Sequence, residues 1–349
     1  MCENIDWNVG RVLQKLDEQA IADNTIVVYF SDNGPNGWRW NGGMKGRKGS
    51  LDEGGLRVPF FIRWPGHIEA ETRISEITAA IDILPTLADL ADIPLVSTEP
   101  LDGISFSPLL FGRTGDWPDR LIFSIKNVGR SQAPQVSVRT QRYRLDSNGQ
   151  LFDIAADPGQ NRDVSESEPE IATRLASAAS SWQEEVVPKV TLNRPFTVGY
   201  GASTTLPARD GVASGQVERS ARAPNCSFFT HWTDVEDRIS WDVEVARSGR
   251  YECVVYYTCP EKDIGSTVEL NHGETTVQVK VTDAHDPPLV GATFDRVSRG
   301  SESYVKDFKP LTLGVLSLEK GRGDLVLRAT EIPGEQVMDV HSLVLTFLD

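Results

Sequence analysis

Two adjacent polar residues, Asp32 and Asn33, directly follow an apolar segment and have side chains suited to holding a metal ion. A carboxylate and an amide oxygen are hard ligands, and hard ligands favour Ca²⁺ or Mg²⁺ over a soft metal. The same residues begin the tripeptide Asp-Asn-Gly, which is also a common turn sequence. The pair is therefore a candidate metal site, and its alternative is an ordinary turn.

A lysine within a glycine-rich segment is the second feature with chemical potential. Lys48 lies downstream of the pair, and glycines at 42–43 and 54–55 flank it. Glycines allow the backbone to turn tightly and to come close to a ligand. A lysine in this setting can bind a tetrahedral oxyanion as a point charge. The alternative is a solvated surface charge.

Several segments occur along the chain in a fixed order. They are ADNTIVVYFSDNG (22–34), KGSLDEGGLRVPFFIRWPG (48–66), DILPTLADLADIP (82–94), LDGISFSPLLFG (101–112), VRTQRYRL (138–145) and LFDIAADPGQNRDV (151–164). In this order they resemble the C-terminal half of the sulfatases, with a match from about Asp6 to Trp182. Sulfatases belong to the alkaline-phosphatase superfamily of α/β proteins and hydrolyse sulfate esters at a divalent metal, usually Ca²⁺.

The resemblance implies a role for each of the three residues. Asp32 and Asn33 match the family's second pair of metal ligands, for Ca²⁺ with Mg²⁺ as the alternative, and Lys48 matches the lysine that contacts the sulfate group and the ester oxygen. A metal and a cation on either side of the ester would stabilise the charge that grows during S–O cleavage. Asn33 also argues against a phosphoesterase of the same superfamily, because those relatives tend to have His at this position.

Three further residues match family positions with supporting roles. Glu53 and Arg57 are expected to form a structural ion pair or to hold the backbone. Lys45 stands where relatives often have Arg, and we expect it to act behind the residues that touch the ligand.

The family nucleophile is missing from this sequence. Sulfatases use a formylglycine made from Cys or Ser in a C/S-x-P-x-R motif, and its hydrated aldehyde attacks sulfur. Only the segments 116–120 and 205–209 place Pro and Arg at this spacing, and both lack Cys or Ser at the first position. The chain is therefore expected to begin inside the catalytic domain and to be inactive alone, as a truncated gene model, a fragment or a remnant.

Hydrophobic periodicity predicts an open α/β sheet for the first part of the chain. A helix is expected over 3–21, a buried parallel strand over 25–30, a strand over 58–64 and a mostly helical segment over 74–91. Four short strands over 121–154 predict a small antiparallel subdomain, and a last helix is expected over 168–185. The predicted domain, 1–190, is an incomplete sulfatase sheet with flanking helices, because its opening strands are expected to be missing.

The second predicted domain, 195–349, alternates polar and apolar residues in short segments separated by glycines. This pattern predicts a β-sandwich or jelly roll. Its segment DRISWDVEVARSGRYECVVYYTCP (237–260) resembles carbohydrate-binding modules of the galactose-binding type. Four aromatic residues could form a face on which sugar rings stack, and the alternative is that they lie in the core. They are Trp232, Trp241, Tyr256 and Tyr257.

Composition excludes several functions. With 35 Lys and Arg against 50 Asp and Glu, the formal net charge of −15 argues against a nucleic-acid-binding face. No apolar run is long enough to span a membrane, and the first residues lack the features of a signal peptide. The four cysteines are too few for a disulfide scaffold, and no bridge is predicted between Cys253 and Cys259.

These observations leave three functional hypotheses. The first is a sulfuric ester hydrolase that acts on sulfated carbohydrate or small aryl sulfate esters, catalytically incomplete in this chain. The second is a non-catalytic carbohydrate-binding protein with a vestigial sulfatase scaffold, and the third is a phosphoesterase of the same superfamily. The family resemblance implies a periplasmic or secreted location, because sulfated polysaccharides are extracellular.

Overall fold

The chain divides into two units, Met1–Leu192 and Asn193–Asp349. A computed structural model describes residues 2–38, 40–96, 100–113, 115, 117–129, 132–190, 194–295 and 299–349. Among these residues, no helix has both the length and the apolar character that a membrane span requires. All four cysteines are free, as predicted for Cys253 and Cys259.

The first unit combines helices with two small sheets. Its helices are α1 (Cys2–Glu18), α2 (Glu53–Leu56), α3 (Ile83–Leu90), α4 (Ser107–Leu110) and α5 (Pro169–Val186). Its strands are β1 (Val27–Phe30), β2 (Phe60–Arg63), β3 (Ile122–Lys126), β4 (Gln135–Arg139), β5 (Tyr143–Leu145) and β6 (Leu151–Asp153).

Strand β1 corrects the prediction of a buried parallel strand. It pairs antiparallel with β2, with Phe30 opposite Phe60, and the two form a two-stranded sheet in the described part of the chain. Its neighbourhood is open, since Phe61 is 63% exposed and α1 contains no buried residue. An apolar run thus indicated a strand correctly but did not indicate its partner or its burial.

Helix α3 is shorter than the predicted helix over 74–91. Directly before it lies a single 3-10 turn, Ala80–Asp82, in which the buried carboxylate of Asp82 accepts a hydrogen bond from the backbone N–H of Ala79 at 2.7 Å. Asp82 also accepts bonds from the N–H of Ile104 at 3.0 Å and from Arg120 at 2.8 Å. One carboxylate therefore joins α3 to the segments that follow it.

A four-stranded antiparallel sheet forms the rest of the unit, in the order β3-β4-β5-β6. This is the predicted C-terminal antiparallel subdomain. Helix α5 packs on the sheet through the fully buried Leu175, which shares a core with Val138 and Leu151. Trp182 of α5 stacks on Phe123 of β3, with ring centroids 5.0 Å apart. The sheet is thus a stable support for the loops that meet it.

The second unit is formed by two antiparallel-rich sheets. One has the order β10-β11-β18-β13-β16 with β8 paired to β18, and the other has the order β15-β14-β17-β12-β7 with β9 paired to β12. The strands are β7 (Phe196–Val198), β8 (Ser203–Pro207), β9 (Val212–Ser214), β10 (Glu218–Arg219), β11 (Phe229–Thr230), β12 (Arg238–Val245), β13 (Gly249–Thr258), β14 (Thr267–His272), β15 (Thr275–Lys280), β16 (Lys309–Leu318), β17 (Gly321–Glu331) and β18 (Asp339–Phe347).

Both sheets contribute to one apolar core, so the unit is a β-sandwich. Strand β12 buries Ile239, Trp241 and Val243 from one sheet, and β13 buries Tyr251 and Val255 from the other. Alternate residues of each strand point to the same face, which explains the period of two in the sequence. Burial of this apolar area is the main stabilising contribution to such a unit.

Candidate active site

The loop after β1 carries the two candidate metal ligands. Asp32 is exposed and Asn33 is half-buried, and the hydroxyl of Ser31 donates a hydrogen bond to the backbone carbonyl of Asn33 at 3.0 Å. The Asp32 carboxylate forms no hydrogen bond or ion pair with any residue that the structure describes. Both oxygens of this carboxylate are therefore free to bind a cation.

Lys48 lies beside this loop because the two backbones are hydrogen-bonded. The N–H of Lys48 donates to the carbonyl of Pro35 at 3.0 Å. The neighbouring Arg47 donates from Nη1 to the carbonyl of Asn36 at 2.7 Å and so adds a second connection. The Lys48 side chain is exposed. The structure thus brings the segment around Lys48 to the loop of Asp32 and Asn33 through main-chain contacts.

Two glycines make this close approach possible. The N–H of Gly34 donates to the carbonyl of Gly55 at 2.9 Å, and a β-carbon at Gly34 would overlap the carbonyl oxygen of Gly54. A β-carbon at Gly54 would lie 2.7 Å from the carbonyl oxygen of Lys45, which is closer than real contacts allow. Any side chain at either position would therefore separate the loops.

The short helix α2 is fixed in place by a buried ion pair. Glu53, at its first position, accepts hydrogen bonds through Oε1 from Arg139 Nε at 2.7 Å and from Arg144 Nη2 at 2.7 Å. Its backbone N–H donates to the side-chain oxygen of Gln160 at 2.8 Å. Burial disfavours the charged form of Glu53, but the charges and hydrogen bonds of Arg144 and Arg139 outweigh it and lower the pKa of the carboxyl below its ordinary value.

The family model named Sulfatase matches residues 1–93. This range contains Asp32, Asn33 and Lys48, together with the loops and the helix that position them. Residues 1–93 of the N-terminal unit are therefore similar to the sulfatase family. The arginines that pair with Glu53 lie beyond this range, in the segment 138–145 that the sequence already associated with sulfatases.

Named relatives extend the similarity beyond residue 93. Rat (Rattus norvegicus) steryl-sulfatase is 38% identical over 136 residues, which cover 36% of this chain and 24% of the relative. Human (Homo sapiens) arylsulfatase A is 35% identical over 162 residues, covering 44% and 31%. The N-acetylgalactosamine-6-O-sulfatase of Bacteroides thetaiotaomicron is 28% identical over 206 residues, covering 51% and 40%. The chain thus spans less than half of the length of each of these sulfatases.

The structure places the three residues predicted to have supporting roles in different settings. Glu53 forms the buried ion pair. Arg57 is exposed, and no ion pair joins its side chain to a described residue. The ammonium of Lys45 lies 3.6 Å from Asp52 Oδ1 and 4.0 Å from Asp146 Oδ2. Lys45 is therefore held between two carboxylates in a polar cavity, whereas Arg57 does not pair with Glu53.

The oxygen ligands offered by Asp32 and Asn33 suit a hard cation, but there are too few of them to complete its coordination. Ca²⁺ takes six to eight oxygen ligands in proteins. Asp32 and Asn33 offer side-chain oxygens, and within the described ranges no group of three or more His, Cys, Asp and Glu side chains could hold a metal ion. The residues present therefore suit a hard cation in kind and leave its coordination incomplete.

The aromatic residues predicted to form a sugar-stacking face in the second unit do not form one. Trp232, Trp241 and Tyr257 are almost completely buried, and only Tyr256 is half-buried. The indole N–H of Trp241 donates to a backbone carbonyl at 3.1 Å, and the hydroxyl of Tyr257 donates to another at 2.7 Å. The prediction is wrong for these three residues, because the alternation of a strand does not reveal which of its two faces is buried.

Proposed function

We propose that this protein acts in the hydrolysis of sulfuric esters, on sulfated carbohydrate or aryl sulfate substrates. The observation that carries this proposal is the backbone contact between Lys48 and the loop of Asp32 and Asn33. It joins an anion-binding cation to two hard metal ligands, and all three residues lie within the range that matches the sulfatase family.

Each residue of the site has a distinct task in this function. The Lys48 ammonium would bind the sulfate oxygens and orient the ester, because a flexible, compact cation suits a tetrahedral anion. The oxygens of Asp32 and Asn33 would contribute to holding a divalent cation. Such a cation, when bound, would stabilise the negative charge on the sulfate oxygens.

Turnover requires a nucleophile that the present 349 residues do not supply. The sequence has no C/S-x-P-x-R motif from which a formylglycine could be made. We therefore expect the chain by itself to bind sulfate esters without hydrolysing them.

Sulfated sugars are the substrate class that we favour. Of the three relatives described above, the one named for a sulfated amino sugar shares the longest stretch with this chain, 206 residues. A substrate of this kind also implies a periplasmic or extracellular location.

Binding and turnover of 4-nitrocatechol sulfate with added Ca²⁺ test the proposal. We expect weak binding by calorimetry, no release of 4-nitrocatechol, and at least about tenfold weaker binding after Lys48→Met, since a charge-assisted hydrogen bond contributes about 1.5–3 kcal/mol. The matched control is Lys280→Met, at an exposed strand position in the second unit.

Three results would contradict this reasoning. Turnover by the chain alone would show that another nucleophile acts. Equal loss of binding in both lysine variants would remove Lys48 from the site. Tighter binding of 4-nitrophenyl phosphate than of the sulfate would favour a phosphoesterase.

A further inference from the structure

A polar cavity of about 230 Å³ lies next to the loop that carries Lys48. One wall is the segment 45–52 of this loop. The other walls are the end of β3 at Lys126, the start of β4 at Gln135, and the turn between β5 and β6 at 146–148. All of these elements belong to the first unit, and the four-stranded sheet supports three of them.

The positive and negative side chains that line the cavity are equal in number. Lys45 and Lys126 contribute two ammonium groups, and Asp52 and Asp146 contribute two carboxylates. Lys45 lies within 4.0 Å of both carboxylates. A cavity with this balance does not favour a sulfate group or a metal ion, because either ligand would face two like charges.

The lining retains unused hydrogen-bonding capacity. Among the described residues, the Lys126 ammonium donates one long bond, to the carbonyl of Gly49 at 3.5 Å. The amide of Gln135, opposite Lys126 in the β3–β4 ladder, forms no side-chain hydrogen bond with a described residue. Neither carboxylate is within 3.5 Å of the Lys45 ammonium. The ammonium groups of Lys45 and Lys126 and the amide of Gln135 therefore retain hydrogen-bonding capacity that a ligand could use.

One side of the lining is rigid. Asp146 is buried, and its Oδ1 accepts hydrogen bonds from the backbone N–H groups of Asn148 at 2.8 Å and of Gln150 at 3.0 Å. These bonds fix the β5–β6 turn before any ligand arrives. A preformed, polar wall lowers the cost of binding because little ordering remains to be done.

We propose that this cavity binds one uncharged, hydroxyl-rich sugar ring. Each hydroxyl both donates and accepts a hydrogen bond, and it therefore suits a lining that contains ammonium, amide and carboxylate groups together. The volume is smaller than that of a typical drug-sized pocket, about 300–1,000 Å³, and fits a single ring rather than a longer chain. The inference rests on the proposed function, and it assigns to the cavity the neutral part of a sulfated carbohydrate whose sulfate lies at Lys48.

Binding of unsulfated N-acetylgalactosamine to the full chain, measured by ligand-observed NMR titration, tests the cavity without involving sulfate. We expect millimolar affinity, about tenfold weaker binding after Lys126→Met and about threefold weaker binding after Gln135→Leu. Both positions are half-buried, so either variant should fold, and far-ultraviolet circular dichroism checks this. Lys280→Met, at an exposed position in the other unit, should bind as the unaltered chain does.

The outcomes separate this inference from the proposed function. If 4-nitrocatechol sulfate binds and the unsulfated sugar does not, the cavity is not a sugar site, although the sulfatase function stands. If the sugar binds and the aryl sulfate does not, the proposed function fails and the sugar site stands. Displacement of the sugar by inorganic sulfate, or unchanged sugar binding in both cavity variants, would overturn the assignment.

Discussion

Replacement of Glu53 by glutamine is expected to destabilise the first unit strongly. The side chain keeps its shape, but Oε1 loses the charge that now accepts three hydrogen bonds, at 2.7 Å from Arg139 and at 3.0 and 2.7 Å from Arg144. Removal of one partner from a buried ion pair costs about 3–5 kcal/mol, because the other charge stays buried without compensation. Arg144 is 4% exposed but Arg139 is 15% exposed and partly hydrated. We therefore expect about 3 kcal/mol.

The same pair makes stability depend on pH with a defined sign. The pKa of the Glu53 carboxyl in the folded chain lies below its ordinary value of 4.5. A lowered pKa contributes stability that is present above the unfolded value and is lost as the pH falls through the folded value. The unaltered chain should therefore lose stability below about pH 4.5, and Glu53→Gln should lose less over the same range.

Hydrogen exchange of the β4 and β5 amides, followed by mass spectrometry, measures this effect in the first unit alone. About 3 kcal/mol corresponds to about 100-fold faster exchange when reclosing is faster than exchange, so that the rate follows the opening equilibrium. The matched control is Arg142→Gln, which removes an exposed pair, since the Arg142 side chain is 61% exposed and lies 2.7 Å from Asp153. This control should cost less than about 1 kcal/mol. Equal exchange in the two variants would refute the argument from burial.

Three further changes test other parts of the molecule. Gly34→Ala should lower the urea midpoint of the first unit and weaken binding of 4-nitrocatechol sulfate, because a β-carbon would overlap the carbonyl of Gly54. Unchanged binding would show that the loops can separate without affecting the site. Trp241→Phe should lower the free energy of unfolding of the second unit by about 1–3 kcal/mol, measured in urea, since it removes a buried hydrogen bond and leaves a void. A smaller loss would indicate that the indole does not contribute to the core. Iodoacetamide at pH 8 should label the exposed Cys2 and not Cys253, because burial raises the pKa of the Cys253 thiol to about 12. Peptide mass spectrometry measures the labelling, and faster labelling of Cys253 than of Cys2 would contradict this prediction.

The local sequence pattern correctly predicts the helices and strands whose packing neighbours are close in sequence. The strands of the β3–β6 sheet and helix α5 were predicted within about two residues, because their apolar spacing and their turns are all local. The two-residue alternation of β12 and β13 likewise predicted a β-sandwich. The alternation did not decide which face is buried, so it left Trp241 as a candidate for either a sugar site or the core, and the structure places it in the core.

The sequence pattern does not predict contacts between segments that are distant in the chain. Glu53 was expected to pair with Arg57, four residues away, but its partners Arg139 and Arg144 follow 86 and 91 residues later. The apolar run of β1 resembled a buried parallel strand, but its only described partner is the antiparallel β2. In the candidate site, the order of motifs predicted Asp32, Asn33 and Lys48, whereas the glycine contacts between their loops required coordinates.

The loops around the candidate site are held by main-chain atoms, and this has a consequence for variation. The bonds from Lys48 N–H to Pro35 and from Gly34 N–H to Gly55 involve no side chain. Exposed side chains of the intervening segment that bond no backbone group, unlike those of Arg47 and Asn41, can therefore be exchanged without moving the loops apart. New substrate preferences could arise there by single substitutions, while Gly34 and Gly54 must stay unchanged. The architecture separates the residues that fix the position of the reactive groups from those that are free to select a ligand.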